Sequence, residues 1–174
     1  MLNSIFKSAP VKLLSLVLGL ILLPCINRAS DSASNNYLSQ SDAEKILGQS
    51  ARLTENSTAT KREVLRYTCT YTGMARDKAT GKKENLYYLL EKYKIASSAQ
   101  KVFAEIITQN RENHKIEKLG QVGDEAILLS DHINYHTIIV RKNNKILRLK
   151  VNKVTSMTSL DELKKVAMGT ALKL

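Results

Sequence analysis

The chain has 174 residues, of which 43% are hydrophobic and 25% charged, and it carries a formal charge of +11. This composition excludes a globally disordered chain and leaves room for a single domain once a targeting segment is removed. The first 29 residues hold three basic residues and no acid, so most of the positive excess belongs to the sequence that follows. A field of that sign favours anionic partners without specifying one.

Residues 1–29 follow the order of a secretion signal. Lys7 and Lys12 form a positive start, and Leu13–Leu23 is an unbroken run of apolar and small residues. The run is shorter than the ~20 residues that a membrane-spanning helix needs, so a retained transmembrane anchor is the lesser alternative. We therefore expect an exported protein, in the periplasm, secreted or held at a membrane by lipid. Export makes nucleic acid a poor candidate partner and favours anionic surfaces of the cell envelope.

Cys25 leaves the processing of this signal open. The sequence Leu22-Leu23-Pro24-Cys25 resembles a bacterial lipobox, but proline stands where glycine, alanine or serine usually precedes the lipidated cysteine. The alternative is ordinary cleavage between residues 29 and 33. Lipidation of Cys25 would be the only attachment to a membrane. The polar residues 30–37 read as a flexible tether.

The remaining residues 38–174 read as one α+β domain. A short helix with serine caps at Ser39 or Ser41 ends at Gly48, and residues 66–72 alternate like a half-buried strand. Residues 84–95 fit a helix or a strand, and the helix that follows soon after favours a strand. That next helix starts after Ser97-Ser98, because its apolar residues recur every three to four positions.

The last third of the sequence has strong hairpin signals. A short apolar strand at 125–130 precedes two strands within 134–153, and Asn143-Asn144 is suited to a two-residue turn between them. A final helix starts at the cap Ser159. The order α-β-β-α-β-β-β-α predicts an antiparallel sheet of about five strands with helices packed mainly on one face.

Three groups of side chains could carry chemistry. His132 and His136, with Asp131 beside them, share strand parity and could bind a metal or serve a small metal-dependent hydrolase, although a buried histidine is the simpler interpretation. We expect Cys69 to be a buried core residue and not a nucleophile. The turn at Gly123-Asp124 fits a structural role better than a catalytic one.

A basic face on the 134–153 hairpin is the best candidate binding surface. Alternation places Arg141, Arg148 and Lys150 together on the side opposite the core, where they could bind an anion or simply keep the sheet soluble.

Several short motifs, taken in order, resemble the PsbP-like α+β domains of small exported bacterial proteins, many of which are lipoproteins. The motifs are the Ser-x-x-Asp-Ala-Glu-Lys-Ile-Leu-Gly helix at 39–48, Cys69-Thr-Tyr71, the helix with Phe103, the turn at 122–126 and the basic hairpin at 140–147. The resemblance covers 38–174 and implies a non-enzymatic fold that binds or assembles in the envelope, with lipid-like ligands in some relatives. Cys69 has no partner for the disulfide that some of those relatives carry.

We therefore expect a non-catalytic cell-envelope protein that binds a hydrophobic or anionic ligand, or a partner protein. The candidate partners are an anionic envelope surface, a lipid-like ligand and an envelope protein, and we expect no cofactor. The alternatives are the metal-dependent hydrolase and an assembly subunit of an envelope complex.

Overall fold

The computed structural model describes residues 38–78, 80–111 and 115–174. The predicted secretion signal, the candidate lipidation residue Cys25 and the predicted tether at 30–37 lie outside these described residues. Within them, none of the helices combines the length and the apolar character that a bilayer crossing requires.

The described chain forms an antiparallel sheet with three helices, which is an α+β arrangement. The helices are α1 (Gln40–Leu47), α2 (Ala96–Asn110) and α3 (Leu160–Lys173). The strands are β1 (Ala51–Lys61), β2 (Val64–Arg76), β3 (Lys83–Lys92), β4 (Ile116–Lys118), β5 (Glu125–Ser130), β6 (Tyr135–Lys142) and β7 (Lys145–Asn152). They lie side by side in the order β1-β2-β3-β7-β6-β5-β4.

The prediction of about five strands was too low, because the sequence patterns miss β1 and β4. All of β1 except Ala51 is exposed, so this strand has no buried side and shows no alternation of apolar residues. β4 has only three residues. The ambiguous segment 84–95 is a strand for most of its length, since β3 ends at Lys92.

Helices α1 and α3 cover one face of the sheet, which we call the helix face. Its fully buried side chains include Leu86, Leu147 and Leu149 from the central strands β3 and β7. Both helices begin at the predicted serine caps: Ser39 Oγ accepts the Asp42 N–H at 3.0 Å, and Ser159 Oγ accepts the Glu162 N–H at 3.2 Å. The helix face therefore carries the larger core.

Helix α2 packs on the opposite face, so the helices lie on both faces and not mainly on one. Phe103 of α2 belongs to a second buried cluster with Ile127, Ile139 and Ile146 from β5, β6 and β7. The alternation that places Arg141, Arg148 and Lys150 opposite the core also puts Ile139 and Ile146 on that side, where the sequence predicts partial solvent exposure, yet these two isoleucines are only 3% and 0% exposed. Burial of these isoleucines is the physical reason that α2 takes this side.

The register of the β6–β7 hairpin is the predicted one. Lys142 faces Lys145 across the two-residue turn at Asn143-Asn144, and Val140 faces Leu147. Asn143 has φ 52°, as the sharp hairpin turn requires. This register fixes which side chains of β7 reach the face opposite α1 and α3.

Candidate functional site

The face opposite α1 and α3 is open over β2, β3 and part of β7, and we call this surface the open face. Among the described residues, none of the buried side chains around α2 comes from β1 or β2. The strand registers arrange the side chains in rows across β2, β3 and β7: Arg66 and Glu91 beside Ile146, which is already buried under α2; then Thr68, Leu89 and Arg148; then Thr70, Tyr87 and Lys150. Polar and basic groups therefore replace the apolar core on this part of the sheet.

A buried carboxylate, Glu91, lies at the end of the open face that borders the buried cluster under α2. Glu91 is only 2% exposed, and its two oxygens are bound by two different arginines. Arg66 Nη2 lies 2.9 Å from Glu91 Oε1, and Arg148 Nη2 lies 3.1 Å from Glu91 Oε2. Both arginines keep solvent access, with side chains 42% and 34% exposed. Because one carboxylate is shared by two guanidinium groups, the cluster carries a net positive charge.

The two arginines also keep hydrogen-bonding capacity that the described protein atoms do not use. The Nε atoms of Arg66 and Arg148 are buried and have no hydrogen-bond partner. A guanidinium presents five donors in a fixed planar fork, which suits it to carboxylate and phosphate groups. The buried Nε atoms cannot reach a ligand, but the side chains of Arg66 and Arg148 are 42% and 34% exposed, so the exposed parts of the cluster are suited to recognising an anion.

Tyr93 completes the support of Glu91. Its hydroxyl donates to Glu91 Oε2 at 3.2 Å. Burial, together with the adjacent Glu91 charge, raises the pKa of Tyr93 to about 12, so the phenol keeps its proton at any physiological pH. The carboxylate thus holds a fixed position between the two arginines.

Lys150 adds an exposed positive charge two residues beyond Arg148 on β7. Its Nζ lies 5.5 Å from the centroid of the Tyr135 ring, a cation–π contact. Residues two apart on a strand point to the same face, so Lys150 shares the open face with Arg148. Arg148 and Lys150, two residues of the predicted basic face, therefore lie on one surface.

Arg141, the third residue of that predicted face, lies in a different environment. Its Nε donates to Glu125 Oε2 at 2.7 Å, and its Nη1 donates to Asp124 Oδ2 at 2.9 Å. Asp124 also accepts the backbone N–H of Asn143, and this hydrogen bond, together with the nearby charges of Arg141 and Lys142, lowers the pKa of Asp124. The charge of Arg141 is therefore compensated within the protein, and its contacts stabilise the turn before β5.

The members of the predicted histidine group each make local structural contacts. Asp131 Oδ1 accepts backbone N–H groups of residues 133–135 at 2.7–3.1 Å, so this carboxylate holds a turn. The rings of His132 and His136 lie edge to face with centroids 6.0 Å apart. His136 is buried, with Nδ1 2.7 Å from Ser130 Oγ, and burial lowers its pKa. No three ligand side chains converge on a metal position in the described residues.

Cys69 is half-buried, and not fully buried as the sequence analysis expected. It packs at the margin of the core on the helix face, beside Tyr67. Burial raises the pKa of its thiol to about 11, so the thiolate that a nucleophile needs is disfavoured. These properties fit a packing role.

A second buried carboxylate, Glu84, lines a cavity of about 490 Å³ at the start of β3. Gln49 Nε2 donates to Glu84 Oε2 at 3.0 Å, and the Thr158 hydroxyl donates to Glu84 Oε1. Burial raises the pKa of Glu84 despite these bonds. Neutral donors from the loop after α1 and the loop before α3 thus meet on one side chain, which holds the two loops together.

Comparison with known proteins adds no relative to this description. No family model matches the chain, and no curated protein or solved structure matches it. The PsbP-like resemblance consequently stays a prediction from the short motifs of the sequence.

Two residues of the open-face cluster, Arg66 and Glu91, were not among the predicted site residues. The alternation of residues 66–72 already separates Arg66 from the core positions Tyr67 and Tyr71. Read as a strand, β3 likewise separates Glu91 from Leu90. What the sequence does not supply is the pairing of β3 with both β2 and β7, which brings the two arginines to one carboxylate.

Proposed function

We propose that the protein is a non-catalytic binding protein of the cell envelope, and that it takes an anionic ligand on the open face. The observation that carries the proposal is the sharing of the buried Glu91 by Arg66 and Arg148. Each arginine remains partly exposed, and Lys150 adds a further charge. The secretion-signal pattern of residues 1–29 supports the envelope as the place of action.

The arrangement favours binding over chemistry. Glu91 holds both Arg66 and Arg148, and Lys150 contacts the Tyr135 ring, so these positive groups are positioned before a ligand arrives. Preorganised donors lose little conformational freedom on binding, which increases affinity. On the open face the Thr70 hydroxyl donates to Glu55 Oε2 at 3.0 Å, but Thr70 is only 7% exposed. The groups that meet a ligand are therefore the arginines and Lys150, which position charge and hydrogen bonds.

The ligand chemistry that fits is a phosphate or carboxylate group, which an arginine binds through paired hydrogen bonds. In the cell envelope such a group is carried by anionic lipid headgroups and by free or polymer-bound anions. Two probes separate these sources: inorganic phosphate measured by calorimetry, and vesicles containing phosphatidylglycerol measured by co-sedimentation, with phosphatidylcholine vesicles as the neutral control.

The test compares Arg66→Gln and Lys150→Gln with the matched control Arg111→Gln, which removes one exposed charge at the end of α2. We expect each open-face variant to weaken anion binding about fivefold, equivalent to about 1 kcal/mol, while the control stays near the unaltered protein. If all three variants lose affinity equally, binding follows net charge alone, and the proposed site is wrong. Absence of binding to both anionic probes would also refute it.

A further inference from the structure

Strand β1 forms a long edge of the sheet. It has 11 residues and pairs with β2 alone among the described strands, whereas the opposite edge, β4, has three residues. Ten of the 11 residues of β1 are exposed. A long edge strand presents unpaired backbone N–H and C=O groups that can pair with another strand.

The hairpin register shows which backbone groups of β1 are free. Lys61 faces Val64 across the two-residue turn at Arg62-Glu63, so these two residues form a hydrogen-bonded pair. The direction of the backbone groups alternates along a strand. The N–H and C=O groups of Asn56, Thr58 and Thr60 therefore point away from β2, toward the free edge.

The middle of this edge lacks the devices that usually prevent pairing. Residues 56–60 contain no proline and no charged side chain. The register shift in β1 lies between Leu53 and Glu55, which leaves the segment from Glu55 to Lys61 regular. The two charges of this regular segment, Glu55 and Lys61, stand at its ends and are exposed.

We propose that β1 pairs with β1 of a second copy of this chain, antiparallel, with Thr58 opposite its counterpart. This inference goes beyond the proposed anion binding and does not depend on it. In this register Thr60 of one copy faces Asn56 of the other, so the outward backbone groups meet in about six hydrogen bonds. The two seven-strand sheets then form one continuous sheet.

Charge complementarity selects this register and this partner. With Thr58 at the two-fold axis, Glu55 of each copy lies directly opposite Lys61 of the other, on the same face of the joined sheet. Opposite charges in directly facing positions stabilise a strand pair, and like charges destabilise it. If the register of the two β1 strands shifts by two residues toward the hairpin turn, Glu55 lies opposite Glu63 of the other copy. Repulsion between these two carboxylates disfavours that register. The edge is thus complementary to itself.

The first test removes an outward N–H. Thr58→Pro deletes the central edge donor without removing a bond to β2, and Thr58→Val is its control because it keeps the N–H. Sedimentation equilibrium from about 1 μM to about 1 mM should show a dimer for the unaltered protein and for Thr58→Val, with at least about tenfold weaker association for Thr58→Pro. A monomer at every concentration, or a dimer that Thr58→Pro does not weaken, would overturn the proposal.

The second test reverses the charges. Lys61→Glu should weaken the dimer, because it places two carboxylates opposite each other, and the double variant Glu55→Lys, Lys61→Glu should restore it. Circular dichroism of each variant confirms that the sheet is intact. Failure of the double variant to restore association would contradict the register. Glu55 lies beside Thr70 of the open face, so the comparison with anion binding uses Thr58→Pro, which changes no charge.

Discussion

Replacing Glu91 by glutamine tests whether the buried carboxylate stabilises the fold as the structure indicates. The substituted amide would keep the shape of the side chain but remove the charge that Arg66 and Arg148 share. Breaking a buried ion pair typically costs about 3–5 kcal/mol, because the remaining charge loses its partner. Both arginines are about a third or more exposed, and water compensates part of that loss, so we expect about 2 kcal/mol.

The assay is urea unfolding of Glu91→Gln at neutral pH, compared with Glu117→Gln. Glu117 also pairs with a lysine, Lys164 at 2.9 Å, but its side chain is 51% exposed. The control should therefore change the free energy of unfolding by less than about 0.5 kcal/mol. If Glu91→Gln destabilises the protein no more than the control does, then the cluster contributes little to stability and our interpretation of its burial is incorrect.

Three further predictions concern single residues. Burial raises the pKa of the Cys69 thiol to about 11, so at pH 8 this thiol should be alkylated about a hundredfold more slowly in the folded protein than in urea. Mass spectrometry of the peptide that contains Cys69 measures both rates, and equal rates would contradict the prediction. Burial raises the pKa of Glu84 above its ordinary value of 4.5, so ionisation of Glu84 lowers the free energy of unfolding as pH rises from 4.5 through the pKa of the folded protein. In urea titrations, the free energy of unfolding of Glu84→Gln should therefore decline less over this pH range than that of the unaltered protein. If the free energy of unfolding of Glu84→Gln declines as much as that of the unaltered protein, the pH dependence comes from groups other than Glu84. Gly123 has φ +63°, and an added Cβ would lie 2.6 Å from the Arg141 carbonyl oxygen, so Gly123→Ala should lower the free energy of unfolding by at least about 1 kcal/mol. The control Gly120→Ala adds its Cβ to open space and should change the stability little. Equal midpoints of thermal unfolding for the two variants would refute this difference.

Much of the fold was predictable because its strands bury one side. The β6–β7 hairpin was placed in its correct register from the alternation around Asn143-Asn144, and α3 from the cap at Ser159. β1 could not be found in this way, because a strand that is exposed on both faces leaves no hydrophobic period in the sequence. Helix α2 was found, but the face that it covers depends on which strands lie beside each other.

The candidate site was less predictable than the fold. Arg148 and Lys150 share the open face as their parity indicated, but Arg141 is bound by carboxylates that follow the turn at Gly123. Glu91 acquires its role only through pairing between β3 and β7, strands separated by α2, β4, β5 and β6 in the chain. Local sequence patterns carry information on side-chain direction, and not on which distant strand will be the neighbour.

The strand order also has a consequence for how the chain folds. β1, β2 and β3 form one meander of sequence neighbours, β4 to β7 form another, and the two join only along β3 and β7 in the described sheet. Hairpins of neighbouring strands close quickly because their loops are short, whereas the junction pairs Asn85 with Asn152 and must close a far longer loop. We therefore expect two independently nucleated half-sheets that dock late, with amides at the β3–β7 junction gaining hydrogen-exchange protection after those within each hairpin. The open-face cluster, which spans this junction, would then be assembled by the last step of folding.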